Sequence, residues 1–160
     1  MDVLNARRSR WDIIIFLSGV SAVVIIDRLT KNFISSFLDL NESFAVIRNV
    51  IHLTLVHNTG IAFGFFKDCG AVFIIIPVIL TGLLVYNVYY YRHSPHLSRT
   101  YIVAFSLILG GAIGNLIDRI FLGYVIDFID FRIWPVFNVA DSAITIGAAI
   151  ILIRCIPAAK

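Results

Sequence analysis

The sequence predicts an all-α membrane protein with four transmembrane helices and a small β-rich segment between the first and second. Three observations carry this. Hydrophobic residues make up 59% of the chain and mean hydropathy is +0.92, against roughly 45–50% apolar residues in a soluble globular domain. Uncharged apolar runs approach the length a helix needs to cross about 30 Å of hydrocarbon. Between two of them, a stretch rich in Val, Ile, Thr and Phe is punctuated by turn residues. With 160 residues there is room for one domain, 1–160, and little besides the spans and their connections.

Residues 1–12 are polar, with Arg7, Arg8 and Arg10, and an uncharged run extends from Ile13 to Ile26. Its length suits a signal-peptide core. However, Ala22 is followed by Val23, Val24, Ile25 and Ile26, a poor context for processing, and the apolar pattern resumes beyond Lys31. A retained first span over about 12–34 follows. The β-rich segment, about 40–68, reads as short strands with a turn at Asn58-Thr59-Gly60, and Asp39, Glu42, Arg48, Lys67 and Asp68 place it at the interface or in water. Ala71–Tyr91 carries no charge and forms the second span, with Pro77 as a kink and Tyr86, Tyr89, Tyr90 and Tyr91 as an interfacial belt. After a polar loop at 92–99, the third span covers about 100–121, uncharged from Thr100 to Ile117. The fourth covers about 138–155, within an apolar stretch from Ile133 that Asp141 interrupts.

The net charge of +3 and pI near 9.1 come from basic residues that flank spans, as orientation signals do, so no nucleic-acid partner is expected. Cys69 and Cys155 fall at opposite ends of the proposed spans, which argues against a disulfide. Neither Cys-x-x-Cys nor His-Glu-x-x-His occurs, and no metal or cofactor is expected. Lys and Arg number seven on the side holding both termini and six on the other. Leaving out Arg28, Lys31 and Arg119, which sit in polar clusters at span ends, makes it seven against three, so the termini are expected in the cytoplasm. That topology gathers Asp27, Lys31, Asn58, Asn115, Asp118, Arg119, Asp127 and Asp141 at the outer leaflet.

Ionisable groups at bilayer depth are costly and are functional candidates by default. Asp27 and Lys31 share a helix face four residues apart. Gly111, Asn115 and Asp118 form one stripe, and Gly110 and Gly114 form a Gly-x-x-x-Gly pair on an adjacent face that permits close helix approach. Asn138, three residues before Asp141, can cap the fourth helix with Asp141 as the reciprocal acid. Each feature also has a purely structural explanation: an anchoring ion pair, an interhelical hydrogen bond, a helix-start carboxylate. Asp127 and Asp141 bracket a short loop between two spans. Two carboxylates close together in low dielectric cannot both ionise readily, which yields one acid and one base. On spacing alone Asp130 competes with Asp127. His52 and His57 are read as strand or surface residues.

Five motifs occur in order: Asp27-Arg-Leu-Thr-Lys31, Asn58-Thr-Gly-Ile-Ala-Phe-Gly64, Gly110-Gly-Ala-Ile-Gly-Asn-Leu-Ile-Asp-Arg119, Val125-Ile-Asp-Phe128 and Phe137-Asn-Val-Ala-Asp141. Together they closely resemble the lipoprotein signal peptidases (signal peptidase II) of bacteria, over nearly the whole chain. The resemblance implies an aspartic endopeptidase of the cytoplasmic (inner) membrane with a periplasmic β-cradle. Such an enzyme removes the signal peptide of a prolipoprotein just before its diacylglyceryl-modified Cys. It implies Asp127 and Asp141 as the catalytic pair, ahead of Asp130. Asp27, Lys31, Asn58, Gly60, Gly111, Asn115, Asp118, Arg119 and Asn138 match supporting or substrate- and inhibitor-contacting positions. Expected partners are lipid-modified signal peptides, membrane lipids and globomycin-type inhibitors, with the enzyme acting as a monomer. A small transporter or proton-coupled channel is the alternative. It requires polar residues through the membrane depth, and the inner halves of the spans are almost wholly apolar.

Overall fold

A computed structural model of the chain describes residues 2–60, 75, 77–83, 86 and 98–155. The named elements are α1 (Asp2–Phe37), β1 (Ser43–Ile47), β2 (Ile51–Asn58), α2 (Arg99–Phe121), β3 (Val125–Asp130) and α3 (Val139–Cys155). Much of the expected second span, 71–91, lies outside the described residues. So do Ile61–Gly64, Cys69 and most of the loop at 92–99. Residues 77–83 are helical.

α1 is longer at both ends than the expected 12–34. Ala6, Arg7 and Arg8 favour the helix intrinsically, so the polar flank continues it. Among the described residues, 10–37 of α1 and all of α2 are long and apolar enough to cross a membrane. α3, at 17 residues, is about 25 Å long at 1.5 Å per residue.

Polarity is inverted relative to a soluble protein. Trp11, Ile14, Leu17, Ile25, Leu29 and Phe33 of α1 are exposed, whereas the largest fully buried side chains among the described residues are Lys31, Asn138, Asp27 and Asp118, followed by Ser106. An apolar exterior around a polar interior matches hydrocarbon as the surrounding solvent. The helices approach closely because small residues line their contacts. A Cβ at Gly110 would stand 2.7 Å from the Val23 Cβ of α1, and one at Gly111 would collide with the Ala140 carbonyl oxygen of α3. The two predicted faces of α2 therefore receive different helices.

The sheet departs from the sequence reading in two ways. It has three antiparallel strands in the order β1-β2-β3. The third comes from the connection between α2 and α3, which was expected to be a loop, so Asp127 lies on a strand. The Val-Ile-Asp-Phe-Ile-Asp run pairs with β2, with Val56 opposite Asp127 and His52 opposite Asp130. The hairpin turn lies at residues 48–50, where Asn49 takes φ 62° and Val50 N–H donates to the Ile47 carbonyl at 2.9 Å. Asn58-Thr59-Gly60 instead ends β2. Ile34 of α1 and Leu38, just past its end, pack with Leu55, Ile126 and Phe128, which fixes the sheet against the C-terminal end of α1.

Candidate active site

Five elements deliver the polar residues to one place. On α1, Asp27 and Lys31 pair at 2.8 Å, as their spacing predicts. Lys31 also pairs with Asp118 of α2 at 2.8 Å and donates to Asn115 Oδ1 at 3.0 Å, so all three ammonium directions are used in an environment with no solvent access. Arg28, which sequence reasoning passed over, pairs with the other Asp118 oxygen at 3.0 Å. Its adjacency to Asp27 was the available signal, but the partner lies on another helix. Asp118 Oδ2 further accepts the Ile126 N–H at 3.2 Å and so holds β3 against α2.

The start of α3 is tied down in the same way. Phe137 exchanges backbone hydrogen bonds with Ile129 of β3, at 2.7 and 3.1 Å, which sets Asn138 beside Asp127. Asn138 Oδ1 accepts the Asp141 N–H at 2.9 Å, and Asp141 Oδ2 accepts the Asn138 N–H at 3.2 Å. This is the expected capping box. Asp27 Oδ1 takes a further helix-start donor, the Ala140 N–H, at 2.9 Å.

These constraints bring Asp127 and Asp141 to one cavity of about 230 Å³, also lined by Asn58, Asn115, Arg119 and Trp134. Asn138 joins the carboxylates: its Nδ2 donates to Asp127 Oδ1 at 2.7 Å while its Oδ1 holds the Asp141 amide. Asn115 Nδ2 donates to Asp141 Oδ1 at 2.7 Å, and Asn58 Nδ2 to Asp127 Oδ2 at 2.9 Å. Gly60 N–H fixes the Asn58 amide by donating to its Oδ1 at 2.9 Å. Arg119 donates to the Asn115 carbonyl at 3.4 Å and lines the cavity.

Asp127 lies outside the helices. Burial from water pushes its carboxyl up to about 7. The Asp141 charge acts in the same direction, and the Asn58 and Asn138 donors act against it. Asp130 differs. Burial raises it too, but the Thr54 hydroxyl at 2.8 Å, the Arg132 N–H at 2.7 Å and the Arg132 and His52 charges hold it below the usual carboxylate range. It is not among the residues lining the cavity. His57 stacks on Tyr124, with ring centroids 3.9 Å apart.

Most of the described buried polar side chains gather where the helices meet the sheet; Ser106 of α2 lies apart, and His52 and Asp130 face each other across β2 and β3. A conducting path would need them through the whole depth.

Comparison with known proteins agrees with this architecture. Residues 20–157 match the family model described as Signal peptidase (SPase) II. The lipoprotein signal peptidase of Halothermothrix orenii is 43% identical over 134 residues, covering 84% of this chain and 90% of that protein. That of Moorella thermoacetica is 43% identical over 136 residues, covering 85% and 89%. A solved bacterial membrane enzyme superposes with a TM-score of 0.78 at 35% identity, over 90% of this chain and 94% of the other. The chain belongs to the signal peptidase II family.

Proposed function

We propose that this single-domain protein is an aspartic endopeptidase that removes signal peptides from prolipoproteins, cutting just before the diacylglyceryl-modified Cys. The observation that carries this is the one cavity that both Asp127 and Asp141 line, with the buried Asn138 bonded to each of them. In this reading Asp127 holds the shared proton near neutral pH, consistent with its burial, and Asp141 is the base. A water between them gives a proton to Asp141 and attacks the scissile carbonyl carbon. Asp127 protonates the carbonyl oxygen, producing a neutral gem-diol. Collapse breaks the C–N bond: Asp141 gives its proton to the leaving amine, and a gem-diol hydroxyl gives its proton to Asp127 as the carboxyl product forms, which restores the starting pair. Arg119 lines the cavity, and its charge suits a substrate carbonyl.

The same reading sets the protein in the bacterial inner membrane with four spans, cytoplasmic termini and the cavity at the periplasmic leaflet. A helical signal peptide reaches that depth from within the bilayer, with its acyl chains in lipid. Globomycin-type inhibitors would occupy the same cavity, and the enzyme works as a monomer.

The test is cleavage of a diacylglyceryl-modified prolipoprotein in detergent by folded variants. Asp127→Asn and Asp141→Asn are each expected to lower the rate by roughly 10²–10⁴-fold. Asp130→Asn, outside the cavity lining, is expected to retain it. Undiminished cleavage by a folded Asp127 or Asp141 variant would sink the dyad.

A further inference from the structure

We propose that Lys31 is a positioning residue for the reaction: through the Asn115 amide it fixes how Asp141 is held. This rests on the dyad reading above. Lys31 lies on α1, is fully buried, and is not among the residues lining the catalytic cavity. Two of its N–H groups go to Asp27 and Asp118. The third goes to Asn115 Oδ1 at 3.0 Å.

An amide has two ends of opposite character, and its orientation is set by its neighbours. Asn115 Oδ1 receives donors from two sides, the Lys31 ammonium and Asn138 Nδ2, both at 3.0 Å. Its Nδ2 is thereby turned to Asp141 Oδ1 at 2.7 Å. With the amide reversed, NH₂ would face the ammonium and the Asn138 NH₂, while oxygen would face the carboxylate. All three contacts would become repulsive. The cation, with the Asn138 amide beside it, therefore selects the one orientation that gives Asp141 a donor. The remaining Asp141 oxygen is occupied by the Asn138 N–H, so the carboxylate plane is set by these two donors together.

The charge balance explains why Lys fits here. Asp27 and Asp118 are offset by Lys31 and Arg28, so the cluster is neutral and a neutral amide extends it to Asp141. A buried Lys needs its donors satisfied as well as its charge matched, and Asn115 supplies the third acceptor. Positioning and cluster stability can be separated because only the third bond ends on a side chain that lines the cavity, Asn115; Asp27 and Asp118 hold backbone N–H groups of Ala140 and Ile126, outside that lining.

The experiment is a double-mutant cycle on cleavage of a diacylglyceryl-modified prolipoprotein. Lys31→Met alone would leave two buried carboxylates facing only Arg28. The cycle therefore uses Asp27→Asn/Lys31→Met, which removes one charge of each sign. It keeps the Arg28–Asp118 pair and leaves an Oδ1 for the Ala140 N–H. Asp27→Asn is the reference, and each is made with Asn115 and with Asn115→Ala. With Asn115 present, loss of Lys31 is expected to lower kcat by roughly 10- to 100-fold, as for a hydrogen bond to a charged group, with KM within about twofold. In the Asn115→Ala background the same loss is expected to change kcat by less than about twofold, since the connection is already broken. An equal fall in both backgrounds, or a change confined to KM, overturns the proposal. Loss of the folded state on removing Lys31 from the Asp27→Asn reference also overturns it and makes Lys31 a structural cation. Failure of the dyad reading has a different signature, namely cleavage retained by Asp127→Asn or Asp141→Asn with Lys31 intact.

Discussion

Asn58→Ala tests the electrostatics of the proposed Asp127–Asp141 dyad with little disturbance of the helices. The substitution deletes the Nδ2 donor that stands 2.9 Å from Asp127 Oδ2. That bond stabilises the ionised carboxylate more than the neutral acid, and it is the strongest influence opposing the burial that lifts Asp127 to about 7. A hydrogen bond to a charged group contributes about 1.5–3 kcal/mol, and each pKa unit corresponds to about 1.4 kcal/mol, so its loss raises Asp127 by about one to two units. Asp127 must carry a proton to act as the acid. Activity is therefore lost as pH rises through its pKa, and the variant should hold its rate into more alkaline solution than the wild type. The assay is kcat against pH from about 5 to 9 on a lipidated prolipoprotein. The alkaline limb is expected near pH 7 in the wild type and about one unit or more higher in Asn58→Ala. A limb that stays in place or moves to lower pH would refute both the proton assignment and the role of this bond.

Two further outcomes follow from the same geometry. The folded-state pKa of Asp127 lies above its unfolded value of about 4, so its contribution to stability is present at low pH and is lost as pH rises from about 4 through about 7. Over that window the wild type should lose up to about 4 kcal/mol relative to Asp127→Asn, measured as the difference in unfolding free energy; a constant difference would contradict the assigned burial. A Cβ at Gly111 would collide with the Ala140 carbonyl oxygen and stand 2.8 Å from Ile144 Cγ1. Gly111→Ala should cost about 1–3 kcal/mol and, by displacing the start of α3, about 100-fold in kcat. Gly82→Ala, where no described atom lies within 4 Å, should be neutral or slightly stabilising by thermal unfolding.

What could be read from the sequence divides by range of interaction. The Asp27–Lys31 pair and the Asn138–Asp141 capping box span four and three residues, and helix geometry fixes both in advance. The role of Asn115 as a connector joins residues 84 and 26 positions away, which spacing does not reveal. β3 was missed because its two Asp residues made an alternating strand look like a polar flank. Its partner, β2, precedes it by more than sixty residues, and only pairing shows that Asp127 and Asp130 point to different surroundings. Asn58-Thr59-Gly60 carries a turn signature and does turn, but it serves to hold the Asn58 amide and not to close the hairpin.

The capping box also limits how the enzyme fails on heating. Helix ends open at free energies well below that of global unfolding, and here the first turn of α3 and its cap contain Asp141, the proposed base, and Asn138, which contacts both carboxylates. Opening that turn disconnects Asp141 while the rest of the bundle stays intact. Cleavage should therefore cease at a lower temperature than the loss of helical signal, and amide exchange at Asp141 should follow the loss of activity more closely than exchange in the middle of α2. Asp27, bonded to the Ala140 N–H from another helix, raises that local threshold from a distance.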